Sequence, residues 1–255
     1  MKKRAKRVLE RHCRYSAAQE DIDYLLVRSS ARRTMSIGID EKGNVKVSVP
    51  YYCQEASIKT FLKEKEGWIV KGVETARKNQ KHVDQKRFRH GNRFLYLGRM
   101  YPLEVLEGDV KRARVDFDQN KWVVTIPPGL NEKQTEETVK LKMLKWYRAQ
   151  AEETLGGRIF HYSRIIGEEP AKIAIRTQKR MWGCCDYNTR VIHLNWQIIM
   201  SPLCVVDYVV VHELCHLIIP NHSRRFWSKV RKFMPDFDIH RKWLKNNHLE
   251  MALPL

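Results

Sequence analysis

The first half of the chain alternates short apolar runs with turn-forming residues, a pattern typical of β-strands. These runs occupy residues 24–28, 34–39, 45–49, 94–97, 101–106, 113–117 and 121–126. The second and third runs flank Gly43 and predict a hairpin, which ends at Pro50. Over residues 57–79, apolar side chains at three- and four-residue spacing predict a helix that Ser57 caps and Gly67 interrupts.

The second half predicts longer helices around a pair of strands. An amphipathic helix over residues 132–155 is expected to end at Gly156 and Gly157. Residues 177–189 lack a regular pattern and are expected only to join the two strands. The remaining elements are strands over residues 172–176 and 190–195 and helices over residues 202–217, 224–233 and 240–247.

These elements predict a mixed α+β fold, with a strand-rich N-terminal half packed on a C-terminal unit. We expect a basic segment over residues 1–20, a strand-rich domain over residues 21–130 and a second domain over residues 131–255. The helix over residues 202–217 is apolar nearly all round, which indicates a buried helix, here packed beneath a small sheet.

The composition adds a strongly basic surface. The 255 residues include 48 Lys and Arg against 29 Asp and Glu, a formal net charge of +19. Such a charge favours acidic protein substrates or nucleic acid as partners, although dispersed basic residues are also an ordinary solvated surface. The longest apolar stretch, residues 203–219, is interrupted by polar side chains and predicts no membrane span. Six scattered cysteines and a basic N-terminus without a signal-peptide core indicate reduced thiols in a cytoplasmic protein.

The predicted buried helix contains the sequence HELCH, an HExxH motif. His212 and His216 lie one turn apart on one helix face, so both imidazoles can reach a single metal ion. Glu213 can lie beside the metal's open position and accept a proton from water that the metal has made more acidic. The alternative is a pair of hydrogen-bonded core histidines beside a salt-bridged glutamate. A metal is the simpler partner, because unpaired polar groups are costly to bury.

The third ligand is expected to be His222, because Pro220 turns the chain sharply after the helix and can bring this imidazole back to the metal. Three imidazoles favour one catalytic Zn²⁺ ion. Two alternatives stay open. A carboxylate of Asp236 or Asp238 could complete the site, or His222 could instead cap the helix that begins near Ser223.

Six further residues are candidates for substrate contact or for support of the site. His193 and Asn195 lie on the strand before the motif helix, where an extended peptide could pair by strand addition. Asp207 could orient a ligand imidazole, or it could simply be an acidic residue in the first helical turn that the helix dipole favours. The donors considered for a transition-state oxyanion are Arg176, Gln178, His193 and Tyr208.

The motif and its surroundings resemble a known family. HELCH at 212–216, PNHS at 220–223, FW at 226–227 and MPD at 234–236 are similar to the YgjP-like family of metal-dependent hydrolases, related to SprT-like and WLM-type zinc proteases. The family usually reads RWGSCS where residues 181–186 read MWGCCD. The resemblance implies a zincin-like metallopeptidase unit, with His212, His216 and His222 as ligands and Glu213 as the catalytic acid/base.

The leading hypothesis is therefore a cytoplasmic zinc peptidase that acts on proteins or peptides. A zinc amidohydrolase that acts on a small molecule is one alternative. The other is a nucleic-acid-binding module whose metal is structural, which the basic surface favours. The sequence predicts no membrane partner and makes no prediction of oligomeric state.

Overall fold

The computed structural model describes residues 7–17, 21–178 and 181–254, so the predicted basic segment over residues 1–20 lies partly outside the described residues. Groups of strands are each followed by helices along the chain, and the mixed α+β class is confirmed. The chain divides into two compact units, Met1–Gln85 and Lys86–Leu255. This division lies earlier than the predicted boundary near residue 130, because the strands after Lys86 share a core with the C-terminal helices.

The first unit is a sheet followed by one long helix. Its elements are β1 Val8–Tyr15, β2 Ile22–Ser29, β3 Ser36–Ile39, β4 Val45–Pro50 and α1 Glu55–Asp84. The sheet order is β1-β2-β4-β3, in which β2 and β4 are parallel and the other pairs antiparallel. Val47 and Val49 belong to the same buried cluster as Ile58, Leu62 and Ile69 of α1.

The predicted hairpin is confirmed by β3 and β4, and Gly43 has the positive φ of 84° that such a turn favours. Two predictions for α1 were wrong. The helix begins at Glu55 rather than at a Ser57 cap, and Gly67 does not interrupt it. Leu62 and Ile69 are both fully buried, so packing on either side holds the helix through the glycine.

The second unit begins with a sheet of the same connectivity. Its strands are β5 Arg93–Tyr96, β6 Arg99–Glu107, β7 Arg114–Phe117 and β8 Trp122–Ile126, in the order β5-β6-β8-β7. The parallel pair is again the central one, and a long helix, α2 Glu132–Ile166, again follows. The predicted end of α2 at Gly156 was wrong. The helix continues because Ile159 and Ile166 extend its buried stripe, and it ends at Gly167 with φ 80°.

A small third sheet precedes the motif helix. Its strands are β9 Lys172–Arg176, β10 Gly183–Asp186 and β11 Val191–Asn195, in the order β10-β11-β9. A 3₁₀ turn at Trp196–Met200 leads to α3 Leu203–His216, and α4 Arg224–Phe233 and α5 Phe237–Met251 follow. The sequence did not predict β10, which lies in the segment expected only to join two strands.

Two absences hold for the parts of the chain that the structure describes. None of the described helices combines the length and the apolar character that crossing a bilayer requires. All six cysteines lie in the described ranges, and all six are free thiols.

Candidate metal centre

Three imidazoles converge where α3 ends. The Nε2 atom of His216 lies 3.2 Å from that of His212 and 3.2 Å from that of His222, and the last two atoms are 3.0 Å apart. His212 and His216 meet because they are one helical turn apart. His222 joins them because the chain turns back beyond α3, at Pro220, where the turn was predicted.

The protonation of His212 and His216 fits a cation between the rings. The Nδ1 atom of His216 lies 3.0 Å from the carbonyl oxygen of Ile219, so it donates there and leaves Nε2 with a lone pair. Burial lowers the pKa of His212 to about 3, with smaller contributions from the other two imidazoles and Arg241. Burial also lowers the pKa of His216. Neutral rings whose lone pairs face one another are the donor set that a divalent metal takes.

The spacing of the nitrogen atoms also fits a metal. A tetrahedral ion with metal–nitrogen bonds of about 2.0–2.1 Å requires ligand nitrogens roughly 3.3 Å apart. The three observed separations, 3.0–3.2 Å, are close to this value. Within the described ranges, His212, His216 and His222 are the group of side chains arranged to hold a metal ion.

Glu213 lies next to this centre, beneath β10. Its side chain is 4% exposed, and burial raises its pKa to about 8. Its Oε2 atom is buried and has no hydrogen-bond partner among the described residues. Its Oε1 atom lies so close to Gly183 of β10 that a Cβ on Gly183 would be 2.6 Å away. Only glycine therefore fits at this position without displacing the carboxylate.

Aromatic side chains of α4 support the imidazoles. Phe226 stacks on His216 with ring centroids 4.3 Å apart, and Trp227 stacks on His222 with centroids 5.5 Å apart. Tyr208 precedes His212 by one turn of α3, and their ring centroids are 5.8 Å apart. Burial raises the pKa of the Tyr208 hydroxyl to about 12, so this group stays protonated at neutral pH.

Gly183, Phe226, Trp227 and Arg241 are site residues that the sequence analysis did not select. The FW pair was noted as part of the resemblance, but not as a wall of the metal centre. A glycine between Trp182 and Cys184 was the available signal for a close backbone approach.

Two other predicted residues, Asn195 and Asp207, form hydrogen bonds with residues other than the three imidazoles. Asn195 is 3% exposed, and its side chain donates to the carbonyl of Gln178 and accepts from the backbone N–H of Gln197. Asp207 binds Arg158 through both carboxylate oxygens, at 2.5 and 2.7 Å, which joins α3 to α2.

Arg176 and His193 contact each other across neighbouring strands. The pKa of His193 is lowered by burial and by the charge of Arg176. The strand that carries His193 cannot accept a peptide, because β11 is the central strand and is paired on both sides. That expectation was wrong, and β10 is the edge strand of this sheet that contacts α3.

The two alternative carboxylates have other partners. Asp236 lies 3.2 Å from Nε2 of His240, and Asp238 lies 3.5 Å from Arg231. Neither belongs to the group of side chains arranged for a metal.

A sequence profile of the YgjP-like metallopeptidase domain matches residues 33–247. The chain belongs to the YgjP-like family. The resemblance predicted from the motifs is thereby confirmed. As a YgjP-like protein, the chain carries a metallopeptidase domain, so it falls among hydrolases that depend on a divalent metal and act on peptides or proteins.

Solved structures similar to this YgjP-like chain include two archaeal metallopeptidase zymogens. The abylysin zymogen of Pyrococcus abyssi is 21% identical, with a TM-score of 0.34, over 37% of this chain and 95% of that one. The jannalysin zymogen of Methanocaldococcus jannaschii is 18% identical, with a TM-score of 0.34, over 37% of this chain and 96% of that one. No curated protein matches the chain.

Proposed function

We propose that this YgjP-like protein is a zinc-dependent peptidase in which His212, His216 and His222 hold one zinc ion and Glu213 is the general base. The observation that carries the proposal is the convergence of three Nε2 atoms, 3.0–3.2 Å apart, on the helix that also carries the buried Glu213. Three imidazole ligands would leave a bound zinc ion able to take water or substrate as well.

The chain's own residues account for the proton transfers. Zinc, when bound, supplies a Lewis acid that polarises a carbonyl group and makes water more acidic. Glu213 accepts a proton from the attacking water and returns it to the leaving amine, since the positive charge of a bound metal would lower its pKa from about 8 and keep the carboxylate ionised. Its Oε2 atom suits this role because it forms no hydrogen bond with a described residue. Burial beneath β10 keeps bulk water from competing for the same carboxylate.

Tyr208 is the best supported of the four predicted oxyanion donors. It lies one turn from His212, and its hydroxyl group makes no hydrogen bond to the other described residues. A protonated phenol can donate to the oxygen on which negative charge develops. Arg176 and His193 contact each other, and Gln178 contacts Cys184 at 3.7 Å, so these three are already engaged.

The edge strand favours a peptide over a small amide as substrate. β10 pairs with β11 on one side only, and its first residue, Gly183, lies against Glu213. An extended peptide added to the other side of β10 would gain main-chain hydrogen bonds while its backbone passes the general base. A motif helix beneath a small sheet is the zincin-like arrangement that we propose for this unit.

The test combines metal analysis with cleavage of an unfolded protein. We expect about one zinc per chain, and Glu213→Gln should keep the metal while losing roughly 10²–10⁴ of the turnover rate, the usual contribution of a general base. Glu152→Gln, at an exposed position of α2, is the matched control and should retain activity. A full zinc complement with unchanged turnover in Glu213→Gln would refute the mechanism. Inert peptides together with turnover of a small amide would favour the amidohydrolase.

A further inference from the structure

A positive charge is held beside the metal centre by an aromatic ring. The guanidinium carbon of Arg241 lies 5.0 Å from the ring centroid of Trp227, in the geometry of a cation–π contact. The same ring lies 5.5 Å from that of His222 and 5.6 Å from that of His212. The distance from the guanidinium carbon to the ring centroid of His222 therefore cannot exceed the sum of these two contact distances.

This charge has no carboxylate partner among the described residues. The two acidic residues that precede it most closely in the chain have other partners. Asp238 pairs with Arg231, and Asp236 pairs with His240. Glu213, from α3, is buried beneath β10. An exposed arginine that is fixed on a ring and lacks a counterion is ready to take one from outside the chain.

The charge of Arg241 also acts over the distance that separates it from the imidazoles of His212 and His222. At about 0.1 M salt the Debye length is roughly 10 Å, so a charge this close is only partly screened.

We propose that Arg241 forms a subsite that selects a carboxylate of the substrate close to the cleaved bond. This inference rests on the proposed peptidase function. An extended peptide advances about 3.3–3.6 Å per residue, so the carboxylate belongs to one of roughly three residues nearest the bond. It comes from an Asp or Glu side chain or from the C-terminus. A planar guanidinium suits it because both oxygens can be bound at once, and the net charge of +19 attracts acidic substrates over longer distances.

The experiment compares pairs of fluorogenic peptides that differ only by Asp against Asn at each of three positions on either side of the cleaved bond. A further pair has a free or an amidated C-terminus. With the zinc-loaded full chain, we expect about a tenfold preference for the charged peptide of one pair, mostly in KM because the carboxylate takes no part in bond cleavage. The pair that shows the preference identifies the source of the carboxylate.

Variants of Arg241 then assign the preference to this residue. Arg241→Gln should reduce the ratio to about one, Arg241→Lys should restore part of it, and Arg241→Glu should favour a Lys-containing peptide. Lys242→Gln, an exposed neighbour on α5, is the matched control and should keep the tenfold ratio. Zinc content is measured for each variant to show that the centre is intact.

Two outcomes overturn the inference: no preference in the wild-type chain, or a preference that survives Arg241→Gln. Failure of the proposed function is separate, since it shows as an absence of cleavage in every peptide. In that case the inference is decided by calorimetric binding of the same Asp and Asn peptides to the zinc-loaded Glu213→Gln chain. Equal binding of both peptides, or Arg241-dependent binding of a single-stranded oligonucleotide in their place, would reject the carboxylate subsite.

Discussion

Replacing Gly183 with alanine tests how strictly the site depends on the space between β10 and Glu213. A Cβ on Gly183 would lie 2.6 Å from Oε1, 2.7 Å from Cγ and 2.9 Å from Cδ of Glu213. Non-bonded heavy atoms prefer separations of about 3.5–4.0 Å, so the carboxylate or the strand must move by roughly 1 Å. Gly183 is not among the positive-φ residues, so alanine adds no backbone strain, and the collision alone is tested.

A displacement of about 1 Å in a catalytic group can cost about 100-fold in rate. We therefore expect kcat of the zinc-loaded Gly183→Ala variant to fall about 100-fold, measured by steady-state peptide cleavage. Zinc content should be unchanged, because the three atoms nearest to the added methyl group all belong to Glu213 and none to an imidazole. Overpacking of this kind lowers the free energy of unfolding by about 1–3 kcal/mol, which urea denaturation can measure.

Gly157→Ala is the matched control, because nothing lies within 4 Å of a Cβ at this helical glycine. It should raise the free energy of unfolding by about 0.5–1 kcal/mol and leave kcat unchanged. Glu213→Asp, which shortens the side chain, can be introduced into the wild-type chain and into Gly183→Ala. It should lower kcat less in Gly183→Ala than in the wild type. A kcat for Gly183→Ala within twofold of the wild type, or a parallel loss of zinc, would refute the reasoning.

Four further results are expected. Tyr208→Phe should lower kcat about 100-fold with little change in KM, as the loss of one oxyanion donor does in steady-state kinetics. His222→Ala should weaken zinc binding by more than about 100-fold in a chelator competition, since losing an outer-shell partner already costs about 10–100-fold. Removing zinc from the wild type should lower the free energy of unfolding by about 2.7 kcal/mol relative to zinc at 100 times Kd. Asp207→Asn should lower it by about 1–3 kcal/mol in urea denaturation, because Arg158 loses a largely buried charge partner.

Each of these results has an opposite that is informative. Unchanged kcat in Tyr208→Phe would move the oxyanion role to another group. Full zinc affinity in His222→Ala would point to a carboxylate as third ligand. A melting curve insensitive to zinc would show that the native state does not bind it. Asp238→Asn is the control for Asp207→Asn, since its ion pair is exposed and worth less than about 1 kcal/mol.

The elements with strong local patterns were predicted almost to the residue. The strand Lys172–Arg176 and the helix Arg224–Phe233 have the bounds that the sequence predicted. Errors occurred where tertiary packing overrode a local signal. Glycine favours a helix end, yet α2 continues through Gly156 and Gly157 because its apolar stripe remains buried beyond them.

Elements that exist only through pairing with distant residues were missed. β1 is mostly exposed and has no apolar alternation to predict it, and it is held by its ladder to β2. The four residues of β10 are too few to show a period. The common connectivity of the sheets β1–β4 and β5–β8 is also a property of pairing, and no repeated sequence accompanies it.

The convergence of the three imidazoles was predictable because its geometry is local. His212, Glu213 and His216 share one helix, and a single turn places His222, so helical spacing and one proline were sufficient evidence. Gly183 and Arg241 could not be selected in this way. They reach the centre from β10 and α5, through packing that no spacing in the sequence encodes.

This difference in origin predicts that the two groups of residues affect different kinetic parameters. The local segment, residues 212–222, fixes the groups proposed to carry out the chemistry, so changes that displace Glu213 should act on kcat for every substrate alike. Arg241 contacts the ring of Trp227 and is proposed to bind a part of the substrate that takes no part in bond cleavage, so its replacement should act on KM and only for substrates with the carboxylate. If Gly183→Ala and Arg241→Gln are combined, their effects on kcat/KM should therefore multiply, because one displaces the carboxylate of Glu213 and the other removes a contact to the substrate.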